Sequence, residues 1–396
     1  MTDRPAVRVL QWPDVLAEEA DWEQVRAGAP TETVFLTPDW LEPWWRHLGP
    51  RKRLSLLAVE EGAGMKALAP LYRAPIGATG LTALRPLGGG VSDYLDLLLP
   101  ADGDERQTCL ETLLNGLLAH PSGWDAIDLM NLPAESPTVQ GLVGLCRERG
   151  LACAVLPSHA RPEIELDGTW DEYVRSLPGR FRYNLRSRLK RLSQLGEVRF
   201  RTVVGKDEAG AALDRLVCLH ARRWRGQRTS TILSSSARGR AFYAEACRRY
   251  AGRGLIELTM LDLGGLPAAG SLGFVERGTY YHYLPAWEPS LAAFAPATLL
   301  LAHLIEQAYA RGLRRFDFML GDEPYKAQWA TRSRQTVRLV VGNHGSRGRA
   351  AFQLVVGTHR LRRRARASPF LQRARRYGLT QAVRGQLSAI SRRETS

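Results

Sequence analysis

Between Phe316 and Trp329 the chain reads Phe-Asp-Phe-Met-Leu-Gly-Asp-Glu-Pro-Tyr-Lys-Ala-Gln-Trp, which gathers two carboxylates, a phenol and an amine at Asp322, Glu323, Tyr325 and Lys326. The aromatic-rich run Phe316 to Leu320 predicts a strand, and Gly321-Asp322 ends it. Pro324 suits the first turn of a following helix, where a missing N–H costs nothing. The four groups would then stand at the C-terminal end of a strand, where open α/β sheets place their ligands. Carboxylate, phenol and amine together are what acid/base transfer chemistry uses. An ordinary strand-to-helix loop with solvated charges has the same pattern.

Other residues extend the list. In Tyr280-Tyr281-His282-Tyr283, strand alternation puts His282 on one face with Tyr280, and a histidine there is a candidate general base for an attacking amine. A satisfied core histidine fits equally. The Tyr325 phenol is a proton donor and the Lys326 ammonium a fixed positive charge at the same turn. Lys326 paired with Asp322 or Glu323 is the plain alternative. No cysteine or serine is placed as an activated nucleophile, so attack is expected to be direct. Asp93 and Tyr94 follow Gly88-Gly-Gly90 at a predicted strand start, and His220 and Trp224 share a helix face beside Arg223. Arg182, Arg186 and Lys190 recur along one face of a predicted helix ending at Leu195, whose Leu185, Leu189 and Leu192 form an apolar stripe. That basic face reads as a phosphate or nucleic-acid contact, or as a solvated surface.

The elements that must position these residues repeat. Trp40 to His47 is a predicted helix. Leu54 to Val59 and Lys66 to Tyr72 make a hairpin, Tyr94 to Leu99 another strand, Leu110 to Ala119 a helix and Ala126 to Met130 a strand. Later, after helices at Ala212 to Trp224 and Gly239 to Ala251, Ile256 to Asp262 and Ala268 to Glu276 make a hairpin. Thr279 to Leu284 is then a strand, Thr298 to Arg311 a helix and Arg315 to Met319 a strand. Hairpin, strand, helix, strand occurs twice, predicting an α/β chain of two related lobes with a first lobe over 1–160 and a second over 161–345. At 396 residues two domains are the ordinary expectation.

Three stretches resemble acyltransferases of the GNAT type, specifically the CelD group named for cellulose biosynthesis, which is related to the Fem transferases. They are the closing motif 316–329, Phe181-Arg-Tyr-Asn-Leu-Arg186, and His220-Ala-Arg-Arg-Trp224. The resemblance spans roughly residues 30 to 342 and implies two tandem GNAT-like lobes. It implies acyl-CoA as donor in a split between two central strands, with the diphosphate on the N-terminus of the next helix, here Ala297, Thr298 and Leu299. No glycine precedes that helix, unlike the usual loop. Tyr325 would protonate the departing thiolate and Lys326 would assist transfer. Asp93, Tyr94, Arg182, Arg186, Arg223 and Trp224 would contact the acceptor, a small-molecule or saccharide amine or hydroxyl. An acyl group, expected to be acetyl, would move in polysaccharide or cell-envelope biosynthesis. A Fem-like donor, aminoacyl-tRNA, is the alternative, and a non-catalytic scaffold on an anionic membrane or synthase complex is another.

Composition sets bounds. Five cysteines lie at 109, 146, 153, 218 and 247 with no C-x-x-C pair, which predicts reduced thiols and a cytoplasmic setting. No metal-ligand spacing occurs among His and Cys. The N-terminal residues hold no apolar signal segment, and the most apolar window, 291–310, contains Pro296, His303 and Glu306, so no membrane span is expected. Charge is uneven. Residues 346–396 hold thirteen arginines against one glutamate, so twelve of the net +15 sit there. Apolar residues among them, including Phe370, Tyr377 and Ile390, predict a basic helical tail. Such a tail would meet an anionic inner-membrane surface or RNA. Neither a Walker, a Rossmann nor a G-x-S-x-G motif is present, and Gly88-Gly-Gly90 reads as a turn.

Overall fold

The computed structural model describes residues 4–31, 33–49, 52–62, 64–119, 123–225 and 232–367. Among them lie twelve strands. These are β1 Ala6–Leu10, β2 Arg53–Glu61, β3 Gly64–Pro75, β4 Thr82–Pro86, β5 Ala126–Pro133 and β6 Ala152–Glu165. Then come β7 Val198–Val203, β8 Ile256–Leu263, β9 Leu266–Glu276, β10 Thr279–Trp287, β11 Arg315–Asp317 and β12 Arg332–Gly342. They form one sheet in the order β1-β2-β3-β4-β5-β12-β6-β11-β10-β9-β8-β7. Helices cover its faces, so the fold is α/β.

The duplication is visible in the pairing. In the first half β2 and β3 form a hairpin, β4 pairs antiparallel to β3, the Gly103–Ala119 helix crosses over, and β5 returns parallel to β4. In the second, β8, β9, β10, the Pro296–Ala310 helix and β11 repeat each step. Gly264 and Gly265, both at positive φ (56° and 83°), close the β8–β9 hairpin, as a two-residue primed turn requires. One element is corrected: Tyr94 to Leu99 is not a strand. It makes a single bridge, Leu98 to Leu68, and its leucines are buried in the core without strand pairing. The third strand is β4 instead.

The two halves share one sheet because β12 threads between β5 and β6. A division at 160/161 therefore falls inside β6. Alternate β12 side chains are arginines that meet buried acids: Arg338 holds Asp128 through two bonds of 2.6 and 2.7 Å, and Arg334 reaches Glu163 at 2.8 Å. The halves also share a core. Trp40, on the Pro38–Leu48 helix, packs against Phe242 and Tyr250 of the Ala237–Gly252 helix and against Phe274 of β9. Glu42 and Arg249 pair across the same helix contact at 2.7 Å. In the Gly179–Ser193 helix Leu192 is buried, but Leu189 is 42% exposed, so the predicted stripe is shorter than its spacing indicated.

Deeper in the junction, fully buried Asp317 accepts bonds from Tyr94 Oη (2.6 Å) and from the Met319 N–H (2.7 Å), with Arg161 Nε at 3.4 Å. The Arg161 guanidinium lies 4.4 Å from the centre of the Tyr94 ring. Removing one partner of a buried charged cluster strands the other. Asp317→Ala is therefore expected to cost about 3–5 kcal/mol in urea unfolding. A loss below about 1 kcal/mol would mean that the cluster does not fix the junction.

The basic segment from 346 begins inside the fold. The Gly345–Ala367 helix packs Ala351, Val355 and Val356 against Ala126, Leu156 and Val340, and Arg347 bonds Asp125 at 2.9 Å. From Arg360 to Ala365 its residues are exposed. Its first turns therefore belong to the folded body, because they cover an apolar sheet face. The expected amphipathic pattern from Phe370 to Ile390 lies outside the described residues.

Candidate active site

β10 and β11 pair only through Thr279–Tyr281 and Arg315–Asp317. Beyond that they part, for two local reasons. On β10 the register with β9 slips after His282, leaving Tyr283 as an extra residue. After β11, Met319 adopts φ 62°, a conformation that non-glycine residues rarely take, held by the Asp317 carboxylate on its N–H. The split opens a cavity of about 580 Å³, lined by His282 to Pro285 on one side and Phe318 to Leu320 on the other. The N-terminus of the Pro296–Ala310 helix and the end of the Lys206–Trp224 helix complete its wall. The counterpart split in the first half is filled. Leu97 and Leu99 share a buried cluster with Leu84 and Leu129, and Arg85 bonds Asp128 at 3.1 Å.

Of the residues singled out above, Asp93, His220, Arg223, Trp224, His282, Ala297, Thr298, Glu323, Tyr325 and Lys326 line this one cavity. Asp322 does not; it lines a groove on the outer side of Lys326. Tyr94 is buried on Asp317, and Leu299 lies in the core beneath the helix terminus. Arg182 and Arg186 are on the Gly179–Ser193 helix, outside the cavity wall.

Lys326 is only 4% exposed. Its Nζ donates to the Leu320 carbonyl at 2.7 Å and pairs with Glu323 at 2.9 Å. Gly321 makes this possible: at φ 130°, a Cβ there would stand 2.2 Å from Glu323 Oε2 and 3.0 Å from Nζ. Asp93 comes from the first half. Gly88 turns the preceding loop so tightly that a Cβ would lie 2.5 Å from Ser92 Oγ, which accepts from Trp40 at 2.9 Å. Tyr283 Oη donates to the Val91 carbonyl and meets Tyr243 Oη at 2.9 Å, tying the β10 bulge to the same loop. Asp93 Oδ2 accepts the Leu320 N–H at 3.1 Å. Loss of water around it pushes its pKa up to about 6, against the opposing pull of that bond and of Lys326.

His282 behaves oppositely. Burial and the Lys326 charge push it down to about 3, so it is a neutral imidazole, with Nδ1 at 3.1 Å from Ser271 Oγ. His220 is likewise lowered by burial to about 4 and accepts the Trp224 Nε1–H at 3.2 Å. Arg223 lies 3.4 Å above the Trp287 ring, donates to the Pro285 carbonyl at 3.0 Å, and is lowered by burial to about 10. Burial and Glu323 raise Tyr325, which keeps its phenol protonated. No side chain caps the Pro296–Ala310 helix, and Ala295 takes the left-handed conformation (φ 48°, ψ 55°) that glycine ordinarily supplies ahead of such a terminus. Tyr283 and Asp317 are site residues that sequence reasoning did not assign, whereas Glu323 is the ion-pair partner of Lys326 that the plain alternative named. Asp317 had a signal, a carboxylate amid aromatic strand residues. Tyr283 had none, since a bulge is a pairing property. Among the described residues no group of His, Cys, Asp and Glu could hold a metal ion, and no helix is long and apolar enough to cross a membrane.

Comparison with known proteins bears on the fold. The fold is similar to that of FemX, at 12% identity and a TM-score of 0.62, over 88% of this chain and 99% of that one. It is also similar to L-PGS from Bacillus licheniformis, at 12% identity and a TM-score of 0.53, over 85% of this chain and 96% of that one. The C-terminal domain of a putative lysylphosphatidylglycerol synthetase from Agrobacterium fabrum resembles it too, at 11% identity and a TM-score of 0.52, over 86% of this chain and 96% of that one. At such identities the likeness is one of fold. No curated protein matches the sequence. Residues 179–327 match the family model described as an acetyltransferase (GNAT) domain. The segment that contributes β10, β11, the uncapped helix terminus and Lys326 is thus the part of the chain that matches the acetyltransferase (GNAT) domain model, within a fold similar to that of FemX.

Proposed function

We propose that the chain transfers an acyl group from a CoA thioester to an amine by direct attack in the β10–β11 cavity. The observation that carries this reading is the meeting of Asp93 and Lys326 on one cavity wall, beside the uncapped helix terminus. The fit to a CoA donor rests on that terminus. The Thr298 N–H turns to the Ala295 carbonyl at 2.9 Å, leaving the Ala297 amide and the Thr298 hydroxyl at the end for a diphosphate. A thioester donor supplies the activated acyl carbon. Asp93, a carboxylate above pH 6, takes the proton from the attacking amine. Lys326 has three N–H donors, two of them committed to Leu320 and Glu323, and turns the third to the oxyanion. As the C–N bond forms and the C–S bond breaks, the Tyr325 phenol gives its proton to the leaving sulfur. His282, neutral and hydrogen-bonded, shapes the wall and leaves the base role to Asp93.

The closing motif's resemblance to the CelD type favours a saccharide amine or hydroxyl of polysaccharide or envelope biosynthesis as acceptor. The glycine-free loop before Pro296 favours a second reading, in which the donor is an aminoacyl-tRNA. Incubation with acetyl-CoA and a panel of amines, with products read by mass spectrometry, separates the two. Acylated amine supports the first, and inactivity with CoA thioesters together with RNA retained on purification supports the second.

Thr298→Glu tests the helix terminus. A carboxylate in the first turn favours the helix but repels a diphosphate. The expected result is an unchanged melting temperature with a rise of roughly tenfold or more in KM for the donor. An unchanged KM would place the donor's anionic part elsewhere.

A further inference from the structure

The cavity does not end at Lys326. On its outer side, Glu323 and Lys326 also line a groove of about 380 Å³ floored by Gly321 and Ala330. That groove shares Ala327, Ala330 and Thr331 with a second one of about 710 Å³, which continues to Arg180, Asn184 and Arg188 on the Gly179–Ser193 helix. The inner end reaches the Lys326 ammonium, since a Cβ at Gly321 would lie 3.0 Å from Lys326 Nζ. The outer floor is rigid. Trp329 is 1% exposed, meets Phe181 edge-to-face at 4.8 Å between ring centres, and its carbonyl accepts Tyr173 Oη at 2.6 Å.

The charge along this path is graded. The inner groove has Asp322 and Glu323 beside Arg332, whereas the outer one is lined by Arg180 and Arg188 with no acid. The Gly179–Ser193 helix holds six basic residues and no acidic one, and Tyr183 stands 71% exposed among them. A molecule with an amine at one end and an acid further along matches that order, acid-lined near Lys326 and basic at the far end. The helix terminus that suits the donor lies on the cavity side of Lys326, so the two substrates would approach the amine from opposite sides.

We propose that the acyl acceptor lies extended in this groove, its amine passing Gly321 and Lys326 toward Asp93 in the cavity and an acidic group at Arg180 and Arg188. The acidic group is a carboxylate or a phosphate. This rests on the acyl-transfer reading above, yet it can be tested without turnover.

The test is equilibrium binding to the full chain at low and at physiological salt. The probes are tetraglutamate, tetraalanine and an alanine tetrapeptide with one C-terminal phosphoserine, each with a free N-terminal amine and an amidated C-terminus. The expected result is that an acidic peptide binds roughly tenfold or more tightly than tetraalanine and that salt weakens it. The better of the two acidic peptides names the acid. Arg180→Glu with Arg188→Glu should abolish the preference, as should the milder Arg180→Gln with Arg188→Gln should the reversal unfold the helix. Arg360→Glu with Arg362→Glu, on the exposed end of the Gly345–Ala367 helix, should leave it intact. The proposal is overturned if no acidic peptide is preferred, or if the 360/362 variant loses as much as the 180/188 variant. It is also overturned if oligouridylate binds where the peptides do not, which would make the surface a nucleic-acid site. Peptide binding without acyl transfer would sustain the groove and reject the reaction.

Discussion

Lys326→Met is expected to lower kcat by roughly 10²–10³ while leaving the protein folded. Methionine keeps the length and volume of the stem in a site that is 4% exposed. What it removes is the ammonium, and with it the bonds to the Leu320 carbonyl and Glu323. Glu323 is 54% exposed at its side chain, so its freed charge is solvated and costs little. The loss should appear in the chemical step, because an amine that stabilises a developing oxyanion acts on the transition state and not on either substrate. Single-turnover rates with saturating acetyl-CoA measure it directly. Glu323→Gln is the companion, since it keeps the amine and removes only its surface partner, and its expected effect is less than tenfold. If the Met variant turns over at the wild-type rate, Lys326 is a structural ion-pair residue and the mechanism above loses its electrophile.

How far the sequence leads can be seen at three places. Pro324, Gly321 and the aromatic run before them marked a strand, a break and a helix start, because each acts through local backbone preference. The strand nevertheless stops at Asp317, earlier than its apolar run, since the left-handed Met319 and the bond from Asp317 end it. β12 was illegible: Arg332, Arg334 and Arg338 make it read as polar, and only the acids of β5 and β6 across the sheet explain why arginines alternate there. The cavity itself was legible as a list of residue types but not as a place. His220, His282 and Arg223 owe their shifted affinities for protons to burial, which spacing does not report. Asp93 stands more than two hundred residues from Lys326 in the chain, and only the shared core around Trp40 and the Tyr283 bulge brings its loop to Leu320.

Asp93→Asn separates catalysis from stability, because the two should move in opposite directions. For catalysis, the amide cannot accept a proton, so kcat/KM is expected to fall by roughly 10²–10⁴, the range of general-base catalysis. In the wild type, kcat/KM should rise as pH increases through about 6, where Asp93 ionises, and this limb should vanish in the variant. For stability, the folded protein holds the Asp93 proton up to about pH 6, against an ordinary aspartate value of 3.8. Between those values the native state binds more protons than the unfolded chain, so the wild type loses stability as pH rises through this window and recovers none above it. Asparagine is neutral at every pH and still accepts the Leu320 N–H through its carbonyl oxygen. The variant should thus melt higher than the wild type at pH 7.5, and the gap should close as pH falls toward 4. A variant that is both slower and less stable at pH 7.5 would show that the Asp93 carboxylate is held by compensating partners. Its loss of activity would then report damaged structure and not a missing base.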